Sequence, residues 1–270
     1  MSAPWRIAAP PPHLAARTLI NMTLKQRMPL VRLSYLRFLV GARHFIKTGQ
    51  VGDGRECVLA DHVVSKARKG DIGDVLATID KFAYEQMFLV NIGDQKGKLL
   101  DAAVKRADPK LILELGTYVG YSALRLLRDA PSAKVVSVEM CAANAEVAGR
   151  IWAHAGVDDR IISIVGTIDD GGPTLVALAA EGIGTGKLDF LFLDHDKNAY
   201  LPDLRTIVDE GWLHPGSIVV ADNVGFPGAP KYRAYMREQQ NNRFDTVEHN
   251  AHSEYQTWVR DLVLESEFLG

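Results

Sequence analysis

Three oxygen-bearing side chains stand where apolar runs stop. In "LDFLFLDHDKNAY" the run Leu188–Leu193 ends at Asp194, and in "SIVVADNV" the run Ser217–Ala221 ends at Asp222 and Asn223. Such runs read as buried strands, and open α/β sheets take their ligands beyond the carboxyl ends of the strands. Two carboxylates and an amide oxygen, with no thiol or paired imidazole, suit a hard cation. Mg²⁺ prefers oxygen ligation of this kind and keeps positions open for water or substrate. Separate helix capping by each aspartate is the plainer account, and two buried strands ending alike weaken it. Lys197 follows Asp194 by three residues. Beside a divalent ion and partly desolvated, a lysine can lose its proton near neutral pH and act as a general base. His195, a single histidine without a spaced partner, reads as a packing or ligand-contact residue.

A second group lies in "LILELGTYVGYSALRLL", where Gly116 and Gly120 follow the acidic Glu114 and a helix opens at Gly120. Glycine lets a ligand approach the backbone, and a helix N-terminus offers free amide donors. The spacing is not G-x-G-x-x-G, so the dinucleotide fingerprint is not met; alone, the pair could equally be a tight strand-to-helix turn. The next strand ends "VVSVEM", which brings Glu139 beside that turn, where a carboxylate can accept both hydroxyls of a ribose. Met140 could lie on an adenine face or pack in the core.

These residues need a scaffold of strands alternating with helices. Apolar runs at Leu111–Leu115, Lys134–Val138, Ile161–Val165, Leu188–Leu193 and Ser217–Ala221 alternate with helical segments at Gly120–Asp129, Ala142–Ala155, Pro173–Glu181 and Tyr200–Gly211. "CVLADHVVSKA" and "IGDVLATIDKFAYEQMFL" precede them with helical periodicity, and "APKYRAYMREQQ" follows as a further helix. "FDTVEHN" and "EYQTWVRDL" read as two closing strands with no helix between. The pattern predicts an α/β fold, a doubly wound, mostly parallel seven-stranded sheet with an antiparallel C-terminal strand. Residues 1–50 form a basic extension without a single Asp or Glu, and residues 51–270 form the domain. Within the extension, Met1–Pro12 reads as disordered and about Leu14–Ile46 as amphipathic helix, either attached to an anionic membrane surface or partner subunit, or packed on its own domain.

The 270 residues are 47% hydrophobic and 24% charged, ordinary for a globular protein, with a formal charge of -2. Two cysteines give no disulfide framework or metal spacing, which fits a reducing, cytoplasmic setting, peripheral to a membrane if the extension attaches there. Neither a transmembrane run nor a signal peptide is expected, and nothing points to nucleic acid.

With these residues in view, the chain from about Asp53 onward resembles the catechol O-methyltransferases, Mg²⁺-dependent enzymes that use S-adenosylmethionine. "NIGDQKG", "LELGTYVGYSA", "FLDHDKNAYLPD", "ADNVGFPGAP" and "SEYQ" match in order and spacing. The resemblance implies that Ile92, Glu114, Gly116, Tyr118, Ser122, Glu139, Met140 and His195 bind the methyl donor. It implies that Asp194, Asp222 and Asn223 hold Mg²⁺, with Asp194 also near the donor's amino group. Lys197 then takes the proton from the reacting hydroxyl, and Glu254 meets the second hydroxyl beside Asn223. Three departures stand out. Asp196 and Phe88 replace tryptophans of the animal enzymes while Pro227 remains, and Ile168 and Asp169 stand where the family sets a Ser-Gln pair against the adenine. The chemistry is thus expected to be kept and the acceptor wall changed. The same chemistry on another hydroxylated aromatic, such as a caffeoyl conjugate, is the nearest alternative. A nicotinamide dehydrogenase is disfavoured by the missing fingerprint, and a non-catalytic donor-binding protein has no use for Lys197.

Overall fold

The computed structural model describes residues 5–8, 33–256 and 258–270. Among them, β1 (Arg6–Ala8) and α1 (Leu33–Thr48) come first, then α2 (Arg55–Lys66), α3 (Ile72–Glu85) and α4 (Gly93–Ala107). The alternating part follows as β2 (Leu111–Leu115), α5 (Tyr121–Asp129), β3 (Lys134–Glu139), α6 (Ala142–Ala155), β4 (Ile161–Val165) and α7 (Pro173–Ala180). It continues through β5 (Leu188–Leu193), α8 (Tyr200–Asp209), β6 (Leu213–Ala221), α9 (Pro230–Glu238), β7 (Phe244–His252) and β8 (Arg260–Phe268). The strands form one sheet in the order β1-β7-β8-β6-β5-β2-β3-β4, with β8 antiparallel to both β6 and β7 and the other pairings parallel.

Both faces of the sheet are covered, as unbroken apolar strands require. Along β5 the side chains alternate: Phe190 and Phe192 enter the core under α2 to α6, while Leu191 and Leu193 enter the core with Tyr200, Leu204 and Tyr232. All four are fully buried. At about 1.5–3 kcal/mol for each such side chain, this burial is what holds a strand that terminates in charge.

Two expectations need correction. The sheet has eight strands, not seven, because Arg6–Ala8, read as disordered, pairs with Val247, Glu248 and His249 of β7. A three-residue strand is too short to show a period. It is held by its flanks: Trp5 donates to Glu248, and Arg6 pairs with Asp245. The extension's helix is described from Leu33 only; residues 9–32 lie outside the described residues. Of the two fates open to that helix, α1 shows packing on its own domain, through contacts given below. No helix among the described residues is long and apolar enough to cross a membrane.

Candidate active site

The strand order reverses between β2 and β5, and the site lies in the crevice at their carboxyl ends. Leu115 stands opposite Leu193, and Leu193 opposite Ala221, so the residues just beyond them become neighbours. The Asp194 N–H donates to the Leu115 carbonyl at 2.8 Å, and the Asp222 N–H donates to the Leu193 carbonyl at 3.0 Å. Gly116 fits here only as glycine. Its φ is +101°, and a Cβ would collide with the backbone carbonyl of Asp194.

Asp194, Asp222, Asn223 and Glu254 gather with two lysines. Lys197 Nζ lies 3.0 Å from Asp194 Oδ1 and donates to the Tyr200 hydroxyl at 2.7 Å. That hydroxyl is anchored within 2.9 Å of the Leu193 and Asp222 carbonyls. The second lysine, Lys96, is 1% exposed and lies 2.8 Å from Asp222 Oδ2 and 2.9 Å from Asp261 Oδ2, and it also pairs with Glu254. Asn223 adopts a left-handed φ of 53° and donates its side-chain N–H to Glu254 Oε1 at 2.8 Å and Asp261 Oδ2 at 2.9 Å. This sends the amide nitrogen inward and leaves its oxygen as the free prong.

The electrostatics are unbalanced. Burial pushes the Asp222 carboxyl well above the usual range, with the neighbouring carboxylates adding to it, and Lys96 alone opposes the shift. Asp194 is also raised by burial, against the pull of Lys197 and Lys96. Glu254 goes the other way: burial would raise it, but the Lys96 charge and the Lys96 and Asn223 hydrogen bonds hold it low. Lys96 stays charged because Asp222, Glu254 and Asp261 together outweigh its own burial. Neither oxygen of Asp222 receives a hydrogen bond among the described residues. Written as ionised, the carboxyls of Asp194, Asp222, Glu254 and Asp261 outnumber the two ammonium groups by two, and the upward shifts of Asp222 and Asp194 reflect burial and that crowding.

A buried carboxyl whose Oδ1 has no partner and whose Oδ2 meets only the Lys96 ammonium, an amide oxygen left as the free prong, and an excess of carboxyls over ammonium groups fit a divalent oxygen-seeking cation. Among the described residues no group of three or more His, Cys, Asp or Glu is arranged to hold a metal. Asp194, Asp222 and Asn223 offer a different set, two carboxylates completed by an amide oxygen.

The other end of the crevice is satisfied from within. Glu114 is fully buried, accepts from the hydroxyls of Ser122 and Ser137, and is pushed up to about 8 by burial. Glu139 accepts the backbone N–H of Tyr118 and of Cys141, each at 2.8 Å, which fixes it at the end of β3 beside the Gly116 turn. Burial raises this carboxyl against those backbone hydrogen bonds. Ile92 is buried at the start of α4, Met140 is 51% exposed, and Ile168 lies in the core. His195 is tied by Nε2 to Asp203 at 2.8 Å, with its ring 5.0 Å from Tyr200. Asp196 is exposed and accepts the N–H of Asn198 at 3.0 Å, closing its own turn. Pro227 follows the exposed Phe226 in the Val224–Gly228 turn.

Helix α1 lies over both ends. Tyr35 and Phe38 pack on Phe88 with ring centres 5.1 and 5.4 Å away, and Phe45 sits 6.1 Å from Tyr118. Ser34 accepts from Arg55 and Phe88, and the Gly49 carbonyl accepts from Asn144 at 2.9 Å. Sequence reasoning missed Lys96, Asp261, Tyr35 and Asn144. Lys96 alone had a signal, since it lies inside the matched "NIGDQKG".

Comparison with known proteins agrees with this geometry. A family model described as O-methyltransferase matches residues 69–252. A protein of Mycobacterium tuberculosis named a probable O-methyltransferase is 67% identical over 85% of this chain and 99% of its own. The catechol O-methyltransferase of Bos taurus is 33% identical over 78% of this chain and 76% of its own. In fold the chain is similar to an O-methyltransferase of Streptomyces achromogenes involved in tomaymycin synthesis, solved with S-adenosylmethionine. That likeness has a TM-score of 0.59 at 23% identity and covers 72% of this chain and 89% of that one. The chain belongs to the S-adenosylmethionine-dependent O-methyltransferases, in the family that contains the catechol O-methyltransferases.

Proposed function

We propose that this O-methyltransferase acts on a vicinal dihydroxy aromatic held at a Mg²⁺ site formed by Asp194, Asp222 and Asn223, with Lys197 as the general base. The observation that carries the reading is the buried carboxyl of Asp222, whose Oδ1 has no partner and whose Oδ2 meets only Lys96, in a cluster where carboxyls outnumber ammonium groups four to two, with Lys197 beside it. The 33% identity to a catechol O-methyltransferase supports the choice of acceptor. When bound, Mg²⁺ would supply the missing positive charge and favour ionisation of a nearby hydroxyl.

Lys197 would enter the step as the neutral amine, having lost its proton to solvent when a cation binds beside it; its Nζ, held by Asp194 and Tyr200, then takes the proton of the reacting hydroxyl. Glu254 accepts a hydrogen bond from the second hydroxyl. The Gly116 turn and Glu139 hold the donor so that its sulfonium methyl faces the ionised oxygen. The new O–C bond forms as the S–C bond breaks, leaving S-adenosylhomocysteine and a methyl ether. Alignment of this kind contributes on the order of 7–11 kcal/mol to lowering the barrier. Phe88, packed under Tyr35 and Phe38, walls the ring; the exposed Asp196 makes the opposite rim polar.

The test is methyl transfer from labelled S-adenosylmethionine to matched pairs of vicinal diphenols and monophenols. Turnover of the diphenols alone is expected. Equal turnover of monophenols would contradict a two-oxygen acceptor site.

A further inference from the structure

Lys96 is a buried cation that the proposed reaction does not use, and Asp261 is a buried anion in the same position. They come from distant parts of the chain, α4 and β8. Both close on the residues that would face the cation and the acceptor. Asp261 Oδ2 accepts from Lys96 Nζ and from Asn223 Nδ2, each at 2.9 Å. Its Oδ1 accepts the N–H groups of Gly225 at 3.2 Å and Phe226 at 2.8 Å, the start of the turn that carries Pro227. Lys96 completes the ring by binding Glu254 and by lying 2.8 Å from Asp222.

We propose that Lys96 and Asp261 are positioning residues: together they aim the Asn223 amide oxygen at the cation position and fix Glu254 for the acceptor's second hydroxyl. A carboxamide has its two polar atoms on opposite prongs, so two acceptors on the nitrogen dictate where the oxygen points. Like-charged carboxylates cannot share so small a space unless a cation lies between them, and Lys96 is that cation. The ammonium is sealed from solvent at 1% exposure with its hydrogens committed, so it holds the arrangement and takes no part in proton transfer. The inference rests on the proposed Mg²⁺ reading of this site.

The full-length chain with Asp261→Asn keeps the volume and removes one charge, so that one amide orientation costs Lys96 and Asn223 their acceptor and the other costs the N–H groups of Gly225, Phe226 and Leu262 theirs. Mg²⁺ binding is measured directly by calorimetry, alongside S-adenosylhomocysteine binding and the acceptor KM. We expect Mg²⁺ affinity to fall about 10–100-fold, as for other groups that orient metal ligands. The acceptor KM should rise with it, and S-adenosylhomocysteine affinity should stay within about twofold. Lys96→Met is the second variant, and it should raise the acceptor KM in the same way wherever it still binds S-adenosylhomocysteine. A folded Asp261→Asn chain with unchanged Mg²⁺ affinity and acceptor KM would overturn the inference. Should the unaltered chain bind S-adenosylhomocysteine but no Mg²⁺, the metal reading and the inference fall together, and that failure is recognisable because it needs no substitution.

Discussion

At the donor end of the crevice, Glu114 and Glu139 are met by serine hydroxyls and backbone N–H groups; at the acceptor end, Asp194, Asp222, Glu254 and Asp261 are met by the ammonium groups of Lys96 and Lys197. Neutral donors add no charge, and burial then decides: Glu114 is pushed up to about 8 in spite of its two serine hydroxyls. Ammonium groups set up a charge balance, and here two of them face four carboxyls, of which Asp222 and Asp194 are pushed up in response. Asp222 shows the imbalance most plainly, being fully buried with Oδ1 unpartnered and Oδ2 facing only the Lys96 ammonium. The donor end is thus met by groups of the chain itself, whereas at the acceptor end the proposed Mg²⁺ would supply charge that the chain does not carry.

The comparison can be broken most forcefully at Lys197. Lys197→Met removes the base and should lower methyl transfer about 10²–10⁴-fold, while calorimetry shows S-adenosylhomocysteine binding as before. A parallel loss of both would make Lys197 a structural residue. A smaller effect is expected at the seam between the two ends. Gly116→Ala places a Cβ against the Asp194 carbonyl at a φ of +101°, and should cost at least about 1–3 kcal/mol in denaturant unfolding and weaken donor binding as well.

The donor end has its own signature in pH. Glu114, pushed up to about 8, keeps its proton in the folded chain where an unfolded glutamate ionises near 4.3. Its contribution to stability is full below about pH 4 and is lost as pH rises through about 8. Glu114→Gln mimics the protonated form, so the native Tm should fall relative to this variant between about pH 5 and pH 8. A relative drop of at least about 2–4 °C, which corresponds to 1 kcal/mol in a domain of this size, is the expected reading. Parallel Tm curves would mean that Glu114 is ionised in the folded chain. The smallest effect belongs to the roof: Tyr35→Ala should raise the acceptor KM a few-fold, as expected for the loss of a single aromatic contact, without changing S-adenosylhomocysteine affinity.

The strands that end at Asp194, Asp222 and Glu139 were legible because an apolar run broken by charge is a local signal. So was the Gly116 turn, whose close approach to Asp194 demands glycine. Lys96 was legible only by lying inside the matched "NIGDQKG", and nothing in that segment marks it as buried. In "GDQKGKLLDAAVKRA" it looks like one more lysine on a helix surface, and only the meeting of α4 with Asp222, Glu254 and Asp261 buries it. Asp261 in "VRDLVLES" likewise reads as a residue at a strand margin. The roof was hidden for a related reason: Tyr35 and Phe38 show helical spacing, but the sequence does not say that Phe88 is their partner. Long-range pairing decides these positions, and local pattern carries no trace of it.

In the proposed reaction the acceptor end requires a divalent cation and the donor end does not. Methyl transfer from labelled S-adenosylmethionine to a simple catechol, run with Mg²⁺ and then with a chelator, tests it most directly when S-adenosylhomocysteine binding is measured under both conditions. Turnover abolished by the chelator with binding retained is the predicted result. Turnover that persists in the chelator would contradict the account.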